Sequence, residues 1–270
     1  MIEKRLPPDW DKPSGDNAEY FGRFKSFNIA EKNLQLKIWA YKPVITKKKL
    51  PLVVYLHGAD GHGQEGEHLM MHDIGTMFVR DDIQKKYPCY VFAPQCSLGQ
   101  HWGSEETVGF FVRCLKAFIS DCKNVDNDRI YIYGYSAGGA GVLNLIKNMP
   151  YFFAGALCMC PASNYEGIEL LSKTPIWIIH AQDDGIVKYS YKAGLNHIGS
   201  KELYEHSQKM GWKHMYCTML PAGYMKERYG VNPHCCWVYV SDSSHDEFTK
   251  WLFGLKRESA FGSIPSEQQL

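Results

Sequence analysis

The run Gly134-Tyr135-Ser136-Ala137-Gly138 carries the clearest chemical signal in the chain. It follows β-branched and aromatic residues at 129–133, as a strand would, and opens a helical stretch reaching about Met149. A sharp strand-to-helix turn holds its central residue in a strained backbone conformation, and small residues two before and two after it avoid clashes while the serine Oγ projects. Free amides at the start of the helix face the same space and can stabilise a developing oxyanion. The bland alternative is a small-residue turn that only packs a helix on a strand, and the presence of both flanks argues against it.

A serine hydroxyl is a weak nucleophile, so such a turn requires a histidine base and a carboxylate to orient it, in the chain order serine, acid, histidine. Asp183 and Asp184 follow the apolar stretch 175–180, and ligands of open α/β sheets gather at the carboxyl ends of strands. Either aspartate fits, the alternative being a solvated turn or helix cap. Among the downstream histidines, His197 and His206 fall in a helical segment, which leaves His214, His234 and His245. His234 is favoured because it lies in a long irregular segment after the final strand, whereas His214 precedes that strand and His245 resembles a helix start. His57-Gly58-Ala59-Asp60-Gly61 ends the first buried strand and suits a second oxyanion donor, so the backbone amides of Ala59 and Ala137 are assigned that role.

Other groupings are weaker. His62, Glu65, Glu67, His68, His72 and Asp73 form a ligand-rich stretch in which His68 and His72 would share a helix face. They lack an HExxH order and read better as a solvated face, so neither a metal nor any other cofactor is expected. No Walker lysine-serine pair and no GxGxxG opening a helix is present, which argues against a nucleotide. Trp102, Tyr224, Tyr229 and Trp237 flank the proposed catalytic loops and are expected either to wall an apolar substrate pocket, with Trp102, Trp237 and Tyr224 foremost, or to belong to the core.

The elements that must position these residues alternate. Residues 23–30 and 34–41 look like an antiparallel hairpin around Asn33, and the continuous apolar run 51–56 reads as a strand covered on both faces. Further strands are expected at 90–93, 129–133, 153–159, 175–180 and 215–220, with helices at 108–122, from 137 to about 149, within 192–210 and near 245–254. Strands separated by helices imply βαβ crossovers and a mostly parallel sheet with helices on both faces.

Composition is consistent with that class. A chain of 270 residues, 45% hydrophobic and 22% charged, suits one large domain rather than a disordered or fibrous chain. Thirty basic against twenty-nine acidic residues leave a net charge of +1, too little to draw a phosphate backbone or an anionic membrane. No apolar leader or membrane span is evident, and nine cysteines without a CxxC pair suggest reduced thiols, including the neighbours Cys235 and Cys236. A cytoplasmic protein is expected, with a small-molecule ester as its partner, no nucleic acid, no membrane, and room for a homo-oligomer. The expected layout is a lead over 1–19, one catalytic domain over 20–257 and a flexible tail over 258–270.

Residues 20–255 resemble an α/β-hydrolase, and more narrowly the serine esterases that include bacterial feruloyl (cinnamoyl) esterases and the phospholipase/carboxylesterase and predicted-peptidase group. The likeness rests on Tyr55-Leu-His-Gly-Ala59, Ala93-Pro-Gln-Cys96 with Trp102, Asp128-Arg-Ile-Tyr131 leading into Gly134-Tyr-Ser-Ala-Gly-Gly139, His180-Ala-Gln-Asp-Asp-Gly-Ile-Val187, and His234-Cys-Cys-Trp237 with Trp251-Leu-Phe253. The resemblance implies that Asp184 rather than Asp183 is the acid, and that the catalytic histidine stands three residues before a tryptophan. Relatives often have methionine where Ala137 stands and glycine where Ala181 stands; neither departure removes a catalytic group. The short segment 160–174 implies no large lid domain, and the irregular insert 222–232 matches nothing specific. The implied activity is hydrolysis of small aromatic or short-chain acyl esters through an acyl-enzyme. The rivals are a prolyl-oligopeptidase-like peptidase, an acyltransferase, and a non-catalytic ligand-binding protein on the same scaffold.

Overall fold

A computed structural model describes residues 18–31, 34–43, 48–63, 66, 69, 72–191 and 196–257. The expected lead before Ala18, the Asn33 turn and the tail from 258 lie outside these residues. Eight strands form one sheet: β1 (Lys25–Glu31), β2 (Leu34–Tyr41), β3 (Leu50–Leu56), β4 (Tyr90–Gln95), β5 (Val125–Tyr135), β6 (Gly155–Met159), β7 (Ile176–Ala181) and β8 (Met215–Leu220). Their spatial order is β1-β2-β4-β3-β5-β6-β7-β8. The β1/β2 hairpin and the β2/β4 pair are antiparallel, and every pair from β4 to β8 is parallel.

All seven residues of β3 are buried, as a strand with helices on both faces requires. Its alternating side chains feed two cores. Leu52, Val54 and Leu56 join one that includes Leu115 and Val142, while Val53 and Tyr55 join another that includes Trp237, Phe248 and Leu252. The first is covered by α1 (Glu105–Asp121) and α2 (Ala137–Asn148), the second by α6 (Glu247–Gly254) and the short helix before it. Ser104 caps α1 by accepting from the Thr107 amide.

Between β7 and β8 runs α3 (Ser200–Lys209), so His206 is helical whereas His197 sits in the loop before it. The segment expected to be irregular after β8 contains α4 (Tyr224–Tyr229), bounded by Gly223 at φ 84 and Gly230 at φ 69, and is followed by α5 (Trp237–Ser241). Between β6 and β7 the chain makes only a 3-10 turn, Ile168–Lys173.

Candidate active site

Gly134 at the end of β5 pairs with Leu56 of β3 and Cys158 of β6, so Ser136 emerges at the carboxyl edge in mid-sheet. The turn holds Ser136 at φ 53 and ψ −121, a region unfavourable for a side-chain-bearing residue, with its amide bonded to Met159 O at 3.0 Å. The flanking glycines are obligatory. A Cβ on Gly138 would lie 2.1 Å from Leu56 O and 2.5 Å from His57 O, and one on Gly134 would lie 2.7 Å from both Gly138 O and Leu56 O. The start of α2 is thus pressed onto the end of β3, which brings the His57–Ala59 loop beside the serine.

Ser136 Oγ is 3.0 Å from His234 Nε2, and His234 Nδ1 is 2.6 Å from Asp184 Oδ2. An ionised aspartate only accepts, so Nδ1 carries the proton and Nε2 is free to accept from the serine hydroxyl. His234 is held from both sides, its amide donating to Asn232 Oδ1 at 2.9 Å and its carbonyl lying 3.4 Å from Cys160 Sγ. Burial acts to raise the Asp184 pKa, but hydrogen bonds from His180, His234 and the Ile186 amide outweigh it and hold the carboxyl well below the usual carboxylate range. Asp183 is employed differently: it accepts from the Gly223 amide at 2.9 Å and tethers the loop before α4. His245 pairs with Glu247, and the His214 carbonyl accepts from the Ile176 amide, so neither replaces His234 at the serine.

His180, which sequence reasoning did not assign a role, is the second support of the acid. Its Nε2 lies 3.1 Å from Asp184 Oδ2 and 3.0 Å from Val187 O, and its Nδ1 is 2.7 Å from Ser200 Oγ. The one hint in the sequence was a histidine closing an otherwise apolar strand.

Ala137 begins α2 and Ala59 begins a three-residue 3-10 turn, so the amide of each precedes the first intrahelical bond. The Ala59 loop is anchored by His57, whose Nδ1 is 2.6 Å from Gly58 O and whose Nε2 accepts from the Cys96 amide at 3.0 Å. Accepting at Nε2 requires the neutral ring, and burial lowers its pKa to about 4 although the Nδ1 bond to Gly58 O acts to raise it.

The aromatic expectations need correction. Trp237 is fully buried and packs edge-on to His234, with ring centres 5.5 Å apart, so it supports the histidine from the core and does not wall a pocket. Trp102 is also buried and donates from Nε1 to His57 O at 3.1 Å, bracing the Ala59 loop. Tyr224 is half-buried in an aromatic group with Tyr229 and Tyr239.

Of the ligand-rich stretch, Glu65, Glu67 and His68 lie outside the described residues, His72 bonds Asp60 at 3.0 Å, and Asp73 starts a helical turn. Among the described residues one trio of metal-ligand types converges, Cys160, Asp184 and His234, with atoms within 4.8 Å of one another. Two of its members are already bonded to each other. All nine cysteines are free thiols, with Cys236 buried and Cys235 half-buried. No helix among the described residues is long and apolar enough to cross a membrane.

Fold and site together define an α/β-hydrolase, with a Ser–His–Asp geometry of the kind found in serine esterases and peptidases. The model of the prolyl oligopeptidase family matches residues 98–206, a stretch holding Ser136 and Asp184 but ending before His234. A thermostable esterase of known structure is 27% identical, with a TM-score of 0.76 over 88% of this chain and 64% of that one. The acylaminoacyl peptidase of Pyrococcus horikoshii (17% identity, TM-score 0.61) is covered over 43% of its length by 87% of this chain. Est1E from Butyrivibrio proteoclasticus (13% identity, TM-score 0.54) is covered over 99% of its length by 85% of this chain. This chain therefore spans less than two thirds of that thermostable esterase and under half of that peptidase. No curated protein matches it by sequence.

Proposed function

We propose that the protein is a serine carboxylic ester hydrolase acting through Ser136, His234 and Asp184. The carrying observation is the unbroken relay from Ser136 Oγ to His234 Nε2 at 3.0 Å and from His234 Nδ1 to Asp184 Oδ2 at 2.6 Å. His234 takes the hydroxyl proton as Oγ attacks the ester carbonyl, and the amides of Ala59 and Ala137 receive the oxyanion. The proton passes to the departing alcohol, leaving an acyl-serine. Water, deprotonated by the same histidine, then releases the carboxylic acid and restores the serine. Asp184 stays ionised throughout and steadies the imidazolium.

Small esters, with aromatic (feruloyl or cinnamoyl) or short acyl groups, are the proposed substrates. The reading draws support from the 27% identical esterase and from the short 3-10 turn between β6 and β7, where a lid would be inserted. Peptide hydrolysis is the second reading, favoured by the prolyl oligopeptidase match.

The test is turnover of p-nitrophenyl acetate, longer p-nitrophenyl esters and methyl ferulate beside peptide p-nitroanilides, with Ser136→Ala in parallel. Ester turnover that falls by at least about 10³-fold in the variant is expected. Faster cleavage of the anilides than of every ester would transfer the assignment to a peptidase. A folded wild type inert to all of them, and unlabelled by a fluorophosphonate, would remove the catalytic reading.

A further inference from the structure

Asp60 is the residue after the Ala59 amide, and Tyr135 is the residue before Ser136. Their side chains meet in the core: Tyr135 Oη lies 2.8 Å from Asp60 Oδ1 and 2.9 Å from Oδ2. His72 Nε2 adds a third bond to Oδ2 at 3.0 Å. The Asp60 side chain is 1% exposed and that of His72 5%. Burial acts to raise the Asp60 pKa, and the bonds from His72 and Tyr135 bring it below the usual value, so the group is a carboxylate inside an aromatic core.

A carboxylate is a costly way to fill such space. An apolar side chain of similar size would pack without desolvation, whereas a buried carboxylate with several partners fixes one arrangement of the groups it bonds. Here the direction is specific. Gly58, at φ −71 and ψ −173, lies against the Tyr135 ring, where a Cβ would come within 2.4 Å of Tyr135 Cε2 and 2.7 Å of Asp60 Oδ1. The loop is therefore clamped on one side by His57 and Trp102 and on the other by Asp60. The elbow fixes one proposed oxyanion donor, Ala137; the other belongs to a loop far away in sequence and needs a tie of its own. Tyr135 and His72 also contact Trp237, with ring centres 4.2 and 4.9 Å away, and Trp237 backs His234.

We infer that Asp60, bonded to Tyr135 and His72, is a positioning residue that fixes the Ala59 amide at the distance from Ser136 that oxyanion binding requires. This inference rests on the ester-hydrolase reading. The carboxylate touches no substrate; it acts by tying the donor loop to the nucleophile strand.

Tyr135→Phe, which keeps the ring, and Asp60→Ala test it by two readouts. One is the ratio of kcat/KM for an ester to that for the matching thionoester, whose sulfur binds backbone amides poorly. The other is hydrogen exchange of peptides covering residues 57–61, referenced to peptides from β7. A displaced donor lowers kcat about tenfold or more with KM nearly unchanged, since loss of a whole oxyanion donor costs about 10²–10³. It also lowers the ester preference and speeds exchange in the 57–61 loop more than in β7. A general loss of folding would instead speed exchange in both segments and leave the ester preference intact, and that pattern overturns the inference. So does an unchanged loop in both variants. If the wild type hydrolyses no ester, the functional reading fails by itself, and exchange still decides whether Asp60 fixes the loop.

Discussion

His180 Nε2 and His234 Nδ1 converge on one oxygen, Asp184 Oδ2, at 3.1 and 2.6 Å. Asp184 Oδ1 takes the amides of Ile186 and Val187 at 2.8 and 3.0 Å, so the carboxylate cannot rotate without losing several bonds. His180 Nε2 faces two acceptors, Asp184 and Val187 O, which places its proton on that nitrogen. The acid is thus oriented from behind before it orients the base. His180→Asn should lower kcat/KM on the best ester by roughly 10- to 100-fold, the scale on which small misplacements of a reacting group act. Asp183→Ala, one residue before the acid, removes only a tether to Gly223 and should stay within about twofold. Steady-state kinetics of the pair check this, and equal losses in both variants would refute the assignment of His180.

The depressed pKa of Asp184 carries a stability consequence with a definite sign. Its carboxyl titrates lower in the folded chain than in the unfolded one, where about 3.9 applies. The ionised form therefore stabilises the fold fully above that value, and the contribution is lost as pH falls toward and through the native pKa. Urea midpoints of wild type and Asp184→Asn should differ by a steady amount from pH 7 to 5 and converge below about pH 4. A difference that widens on acidification would contradict the sign. The same substitution should lower kcat by about 10³–10⁴-fold, because an amide no longer holds the imidazole proton on Nδ1.

Legibility in the sequence tracked the range of the constraint. The turn at Ser136 was visible because its strain demands small neighbours two residues away, a purely local requirement. β3 was visible because burial on both faces leaves an unbroken apolar run. The hairpin followed from the runs on either side of Asn33, and the parallel strands and a carboxyl-edge place for Asp183 or Asp184 from alternation of elements, while the choice of Asp184 came from the family resemblance alone. Contacts between distant segments left no such trace: Tyr135 meets Asp60 and His180 meets Ser200 only through the fold. Aromatic residues near catalytic loops do not reveal which way they face, so pocket wall and core stay open in the sequence for Trp102 and Trp237, and the fold buries both. The six-residue α4 is too short for helical periodicity to show, and its bounding glycines read as loop signals.

Backbone crowding at the serine turn gives a sharp contrast among glycines. Gly138→Ala places a methyl 2.1 Å from Leu56 O and 2.5 Å from His57 O, atoms of a central strand end that cannot rotate away. A loss of about 3 kcal/mol is expected, at the upper end of overpacking costs, together with loss of ester turnover. Gly185, beside the acid, has nothing within 4 Å of an added Cβ, and Gly185→Ala should stay within about 0.5 kcal/mol. Thermal melts of the two variants provide the measurement, and a Gly138→Ala protein as stable as Gly185→Ala would show that α2 does not press on β3.

Trp237 separates a supporting aromatic from a substrate contact. Its ring is fully buried, edge-on to His234 and 4.2 Å between centres from Tyr135, so truncation opens a cavity beneath the histidine. Trp237→Ala should cost about 3–5 kcal/mol in unfolding free energy, as large aromatic truncations do. Trp237→Phe retains a flat ring and should lose only part of that. A residue lining the pocket would change KM and the ranking of acyl groups, whereas a support beneath the base lowers kcat by the same factor for every ester. Kinetics of Trp237→Phe across short-chain and aromatic esters distinguish the two. A uniform fall in kcat with unchanged KM is expected, and a changed order of acyl preference would return Trp237 to the pocket wall.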